Sequence, residues 1–435
     1  RFFDVMTIQK GLPKLLIDVF STSLQALFGL ILLSFYHPFF IAFSLAVITL
    51  VVLILKYTGR KGLETSLTES KHKYKVAHWL EEIARSHVSF KLAGNASLPL
   101  ERMDEQTGDY LHSRRTHFRI LMQQYSLLVV FKVIVATGLL VIGGMLVLDQ
   151  QMNIGQFVAA EILILMIVGA VEKLILSLET VYDVLTSIEK VGQITDLELD
   201  SDEGLALKSS TGTPGIELDM EGLTFAYPSQ PLPVINNLSL HVKAGEACII
   251  TGPNGSGKST LLNLVLGLYR PASGHLLING MPIDAIRRES LWQQIGCCLA
   301  DESLFQGTIY ENISLGRSHL SEADIQEACS IAQLEPYLKS TGKGLLTAID
   351  PQGSHLPKSV AQRILLARAI AGSPGLLVLE NPLDDLKRAD RIEIIKRLTQ
   401  SDKGWTILAV STEPFWNECC SRVISMDKGA VADNS

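Results

Sequence analysis

The stretch "ACIITGPNGSGKST", Ala247 to Thr260, decides how the second half of this 435-residue chain folds. Ala247–Thr251 is an apolar run short enough for a buried strand, and "STLLNLVLGLY" after it has the spacing of a helix. Between them lies Gly252-x4-Gly257-Lys258-Ser259, a phosphate-binding loop in the strand–turn–helix context its chemistry requires. Gly255 and Gly257 let backbone N–H groups turn inward around phosphate oxygens, and the helix N-terminus adds positive potential. Lys258 is placed to reach the terminal phosphates and the Ser259 hydroxyl to ligate Mg²⁺. Gly252, Asn254, Ser256 and Thr260 complete the candidate binding set.

Outward from this loop, residues 215–435 alternate short apolar runs such as "HLLING" and "GLLVLE" with helical patterns such as "ADIQEACSIAQL". That alternation predicts an α/β domain with a substantially parallel sheet. Upstream, residues 196–214 turn acidic and then rich in Ser, Thr, Gly and Pro, and read as a linker. No internal repeat is visible.

Residues 1–195 are different in kind. The chain is 47% hydrophobic, and the excess is concentrated in four apolar spans at about 15–36, 38–56, 122–148 and 154–176. Each is long enough to cross a bilayer, which takes about 20 helical residues. The connector 57–121 carries many Lys and Arg, whereas the short turns "YHP" and "DQQMN" carry none. The positive-inside rule then puts the connector and both chain ends in the cytoplasm. Its polar, helical pattern predicts that two membrane helices continue beyond the bilayer. A net charge of −7 argues against a nucleic-acid partner. All six cysteines follow residue 215 without metal-ligand spacing, as expected of reduced cytosolic thiols. The chain opens "RFFDVM", with neither an initiator Met nor a signal peptide, and reads as a fragment lacking its start.

Several segments in this order resemble the exporter-type ATP-binding cassette (ABC) transporters. Tyr227, ahead of the phosphate loop, resembles the aromatic that stacks on adenine in that family. "LFQGTIYENI" (Leu304–Ile313) and "QRILLARAI" (Gln362–Ile370) are similar to family segments after the Q-loop and the signature motif. "NIGQFVA" (Asn153–Ala159) is similar to the start of the sixth membrane helix, particularly in type I secretion and bacteriocin or peptide exporters. "AHWLEEIARSHVSFKLAGNA" resembles the loop carrying the second coupling helix, which the reading places around His78–Arg85. The resemblance implies a helical transmembrane domain, with four of the usual six helices, fused to an α/β P-loop ATPase domain. It also implies ATP and Mg²⁺ as cofactors, a multi-pass location in the inner or plasma membrane, and a second half-transporter subunit as partner. A periplasmic adaptor is a further candidate partner.

The family's catalytic pattern breaks at "LLVLENP". Aligned on Pro382, Glu380 stands where the magnesium-side Asp belongs, and Asn381 stands at the catalytic Glu position. An amide has no protonatable oxygen at neutral pH and cannot act as a general base. Glu380 retains a carboxylate for a magnesium-bound water, on a side chain one methylene longer. Ala300 occupies the Q-loop Gln position and Thr412 the switch His position. Leu356-Pro-Lys-Ser-Val360 replaces LSGGQ, Lys387 occupies the D-loop Asp position, and "TAIDPQG" lacks the X-loop Glu and Gly. The expected function is an ATP-binding exporter subunit with weak or no hydrolysis at its own site. A hydrolysis-competent exporter and a non-transporting scaffold or ATP-sensing regulator are the other readings left open.

Charged side chains in or near the spans are costly there and mark candidate functional positions. Asp18 and Glu172 fall near cytoplasmic ends, where solvation accounts for them. Lys132 and Glu161 lie deeper, which suggests cavity lining or mutual pairing. His72, His78, His87, His112 and His117 in the connector read as solvated helix surface.

Overall fold

The structure, a computed structural model, describes residues 2–94, 97–199, 203–207, 214–228, 230, 232–400 and 403–432. It falls into two compact units, Arg1–Glu198 and Leu199–Ser435. Of the expected linker 196–214, residues 200–202 and 208–213 lie outside the described residues.

The first unit is helical: α1 (Phe2–Ser34), α2 (Phe39–Arg85), α3 (His87–Leu92), α4 (Leu98–Leu148), α5 (Ile154–Leu176) and α6 (Leu178–Thr195). Four of its helical stretches are long and apolar enough to cross a membrane. Pro38 marks the break between α1 and α2, because proline lacks the N–H that would continue a helix and constrains the residue before it. The start of α5 is fixed by a capping box. Asn153 Oδ1 accepts the Gln156 N–H (2.8 Å), and Gln156 Oε1 accepts the Asn153 N–H (2.9 Å). Beyond the apolar segments α2 continues unbroken to Arg85, and α2 packs along α4 through polar contacts that include three between side chains. Thr65 bonds His117 (2.9 Å), Arg114 donates to Glu69 (2.8 Å), and His72 bonds Ser113 (2.6 Å).

Three expectations are corrected here. The segment His78–Arg85 is the last part of α2, and the separate short helix is His87–Leu92. His117 is not solvated surface: it is 5% exposed and packs edge-on against Tyr182. Lys132 pairs with Glu172 (2.6 Å) rather than with Glu161, and Asp18 pairs with Lys173 (2.8 Å).

The second unit is built on two sheets. An antiparallel one comprises β1 (Leu218–Phe225), β2 (Ile235–Val242), β4 (Ser273–Ile278) and β5 (Met281–Pro282), in the order β2-β1-β4-β5. The other contains β3 (Ala247–Thr251), β6 (Ile295–Cys298), β9 (Leu376–Glu380), β10 (Thr406–Val410), β11 (Arg422–Asp427) and β12 (Ala430–Val431), in the order β12-β11-β3-β10-β9-β6. Only its β11–β12 pair is antiparallel. A two-stranded ribbon pairs β7 (Gly307–Thr308) with β8 (Ala348–Ile349). The central strands are apolar throughout because both faces are covered, as parallel sheets require. Ile249, Leu377, Leu379, Ile407 and Ala409 point into one core, shared with the helix Lys358–Ile370. Cys248, Ile250, Val378, Leu408 and Val410 point into the other, shared with the antiparallel sheet and α7 (Lys258–Val265).

Gly296 on β6 shows how tightly the sheet and the Lys358–Ile370 helix approach: a Cβ there would lie 1.8 Å from the Ala369 carbonyl oxygen. Gly296→Ala is expected to destabilise this unit by about 1–3 kcal/mol, the usual cost of overpacking. Gly59→Ala on α2, where a Cβ meets nothing within 4 Å, should be neutral or slightly stabilising. Thermal unfolding of the full chain checks both.

Candidate functional site

The site begins where three parallel strands end. In register, Val410 on β10 pairs with Ile250 on β3 and with Glu380 on β9. The residues just past these positions therefore emerge at one sheet edge, the usual location of sites in α/β domains. From β3 the chain turns through Gly252 (φ 145°), Gly255 (φ 82°) and Gly257 (φ 96°) into α7. A Cβ on Gly252 would lie 2.1 Å from the Met426 carbonyl oxygen, and one on Gly257 2.9 Å from that of Val234. Only glycine fits either place.

Lys258 lies back across the loop. Its Nζ donates to the carbonyls of Gly252 (2.9 Å) and Pro253 (2.8 Å) and reaches Ser256 Oγ at 3.3 Å. The ammonium is thereby held over the concave side of the turn. Ser259 donates its hydroxyl to Glu380 Oε1, and the Ala300 N–H approaches Glu380 Oε2 at 3.4 Å. A glycine cradle with a lysine across it suits a polyphosphate, and a hydroxyl beside a carboxylate is an oxygen donor set suited to Mg²⁺. The residues present fit both groups.

Tyr227 stands apart from that pair. Its ring packs edge-on against Phe225 (5.0 Å) and Tyr269 (5.4 Å), and its hydroxyl bonds Thr260 Oγ1 (3.1 Å). Half-buried in this way, one ring is tied to the first turn of α7.

Asn381 follows β9 directly. Its N–H donates to the Val410 carbonyl (2.8 Å), extending the β9–β10 ladder, and its φ is 45°, a left-handed conformation that Asn tolerates better than most residues. Its Oδ1 is buried and finds no hydrogen-bond partner among the described residues. The side chain borders two cavities. One of about 320 Å³ is bounded by Gly252, Asn254, Lys258 and Thr412, and one of about 350 Å³ by Ala300, Lys358, Gln362, Glu380 and Asp384. The structure thus gathers the phosphate loop and Asn381 with Ala300, Lys358 and Thr412, three of the positions singled out in the sequence. Among the side chains bordering the first cavity, Glu413 supplies a carboxylate, but it is spent on Arg391 (2.9 Å).

Sequence reasoning missed the bracing. Arg391 donates to the Leu386 carbonyl (2.9 Å) as well as to Glu413, and Gln362 Oε1 accepts the Asp385 N–H (2.9 Å). These bonds hold the segment after Asn381 against β10's exit and the Lys358–Ile370 helix. No local motif marks either one, since both depend on long-range packing. Burial also sets the thiols. It pushes Cys248, Cys297 and Cys420 up to about 12, with Glu302 adding to the effect at Cys297.

Residues 235–384 match the family model described as ABC transporter, and residues 1–171 match that of the ABC transporter transmembrane region. The chain belongs to the ABC transporter family. It has the exporter organisation, a transmembrane region fused ahead of the ATP-binding domain. The alpha-hemolysin translocation ATP-binding protein HlyB of Escherichia coli O157:H7 is 26% identical over 76% of this chain and 46% of its own length. ABC transporter B family member 29, chloroplastic, of Arabidopsis thaliana is 28% identical over 57% of this chain and 39% of its own. The chain spans less than half the length of either relative. In fold it is similar to a bacterial Atm1-family ABC exporter with ATP bound, at a TM-score of 0.86 and 17% identity over 99% of this chain and 75% of that one.

Two outcomes test this geometry. Gly252→Ala should weaken binding of a fluorescent ATP analogue by more than about tenfold, because both the positive φ and the Met426 carbonyl exclude a side chain. Gly255→Ala, with open space for a Cβ, should lose less. A thiol held near 12 stays protonated below that pH, leaving about one thiolate in ten thousand at pH 8. Iodoacetamide at pH 8 should therefore leave Cys248, Cys297 and Cys420 unmodified until the chain is unfolded.

Proposed function

We propose that this ABC transporter chain is an exporter subunit that binds ATP with Mg²⁺ and turns it over slowly or not at all at its own site. The observation that carries the reading is Asn381, an amide at the end of β9 where the family's base would be, bordering the cavity beside Lys258. It can position a donor or acceptor but cannot take a proton from water. The supporting changes fall around the same two cavities: Ala300 has no side-chain amide, Thr412 no imidazole, and Lys358 stands at a signature glycine position. Binding is a separate matter. It draws on the loop amides, Lys258 and Ser259, with Glu380 on the magnesium side and Tyr227 offered to the base.

The working unit in this reading is a dimer with a second half-transporter, identical or homologous, multi-pass in the inner or plasma membrane with the ATP-binding domain on the cytoplasmic side. Family ATP sites are composite, so Pro357 and Lys358 also alter the site that a partner's phosphate loop forms. ATP binding then works as a population shift, limited by its differential affinity for two arrangements of the membrane helices.

Nucleotide binding and phosphate release on the full-length subunit in lipid, comparing wild type with Lys258→Ala, are the test. Saturable binding without turnover, lost in the variant, is expected. Robust turnover abolished by Lys258→Ala would sink the reading. Asn381→Glu alone should recover less than the roughly 10²–10⁴-fold that a positioned base contributes, because the other altered positions remain.

A further inference from the structure

Three carboxamides that share no sequence motif converge beside the phosphate loop. Asn254 comes from the loop itself, Asn381 from the end of β9, and Asn417 from the short helix Phe415–Cys419. All three border the cavity of about 320 Å³ that Lys258 also lines. None makes a side-chain hydrogen bond among the described residues, and the Asn381 Oδ1 is buried as well.

Asn417 lies outside every segment singled out in the sequence, yet its backbone is held from two sides. Its neighbour Trp416 is fully buried in the core shared with β10, and its own N–H donates to the Pro414 carbonyl (3.0 Å). One turn earlier, Glu413 is bound to Arg391 (2.9 Å). The amide is therefore presented to the cavity from a fixed support.

The charge on these walls decides what the space can hold. Its ionisable side chains are Lys258 and Glu413, and Arg391 neutralises the second, which leaves an ammonium among neutral donors. A metal ion finds no ligand set, since no group of three His, Cys, Asp or Glu among the described residues could hold one. An oxyanion is better served. Each carboxamide carries two N–H donors, and hydrogen bonds to a charged oxygen are stronger than those to a neutral one. Lys258 lies across the concave side of the loop, so the group that a polyphosphate delivers past it into the cavity is its last phosphate.

We propose that Asn254, Asn381 and Asn417 form a receptor for the terminal phosphate of a nucleoside triphosphate, in which Asn417 sets the preference for triphosphate over diphosphate. The inference deepens the nucleotide-binding reading above and rests on it. Asn254 belongs to the loop that cradles the phosphates both nucleotides share, and Asn381 also borders the neighbouring cavity beside Glu380. Asn417 borders this cavity and not that one, so its removal separates the two nucleotides. A diphosphate leaves the amide to water, whereas a triphosphate takes the water's place. Amides accept no proton from water at neutral pH, so the groups that hold the phosphate do nothing to release it.

The test is equilibrium binding of radiolabelled ADP and of the β,γ-imido analogue of ATP, each with Mg²⁺, to the full-length subunit in lipid nanodiscs. Wild type is expected to bind the triphosphate analogue at least about tenfold tighter than ADP, about 1.4 kcal/mol. Asn417→Ala should cut that ratio by about fivefold or more, with the loss falling on the triphosphate. Asn417→Asp, which sets a like charge against the phosphate, should cut it further. Glu418→Ala, on the same helix but away from the cavity, should keep the wild-type ratio. Retained ADP binding shows that each variant is folded. Equal affinities in wild type, a wild-type ratio in Asn417→Ala, or the same drop in Glu418→Ala overturns the proposal and leaves the nucleotide reading standing. Wild type that binds neither nucleotide overturns both.

Discussion

Everything in the ATP-binding domain depends on β10 lying between β3 and β9. Because Val410 is paired on both sides, the phosphate loop and the Glu380–Asn381 step cannot shift independently. The hydroxyl of Ser259 reaches the Glu380 carboxylate across that spacing, and the Asn381 N–H closes onto the Val410 carbonyl. The parallel ladder thus fixes the distance between the residues that hold phosphate and those that would act on water. The ladder is made by backbone groups, so it holds whichever side chains stand at the strand ends.

The buried oxygen of Asn381 is the exception to that economy. Buried polar atoms without a partner normally cost free energy, and native proteins keep few of them. Here the orphan belongs to a residue that borders two cavities. The left-handed backbone at the same residue adds to the local strain. Both costs fall on one residue, at the end of β9 where two cavities meet.

Much of this was legible in the sequence. The apolar run before Gly252 and the helical run after it required a strand and a helix, and counting from Pro382 located Asn381 without coordinates. The four apolar spans and the break at Pro38 followed from length and from proline's missing N–H. What could not be read was which helical faces meet. Lys132 and Glu172 are forty positions apart, and spacing on α4 or α5 gives the direction of each side chain without naming its neighbour. The same holds for His117, which looked like a solvated connector residue until α2 and α6 closed around it. The Arg391 and Gln362 braces were invisible for that reason too. Composition read the elements, whereas pairings across elements needed three dimensions.

The length of α2 has a mechanical meaning. Its 47 residues contain no proline, and the polar portion is coupled to α4 at three successive levels by Thr65–His117, Glu69–Arg114 and His72–Ser113. Such a braced pair bends little, so displacement is transmitted along it instead of being absorbed. At about 1.5 Å per residue the rod is roughly 70 Å long, and a tilt of about 5° moves one end by about 6 Å relative to the other. On that geometry a small rotation among the apolar segments would be amplified at the far tip, and a displacement at the tip would be reduced to a small rotation within the bilayer.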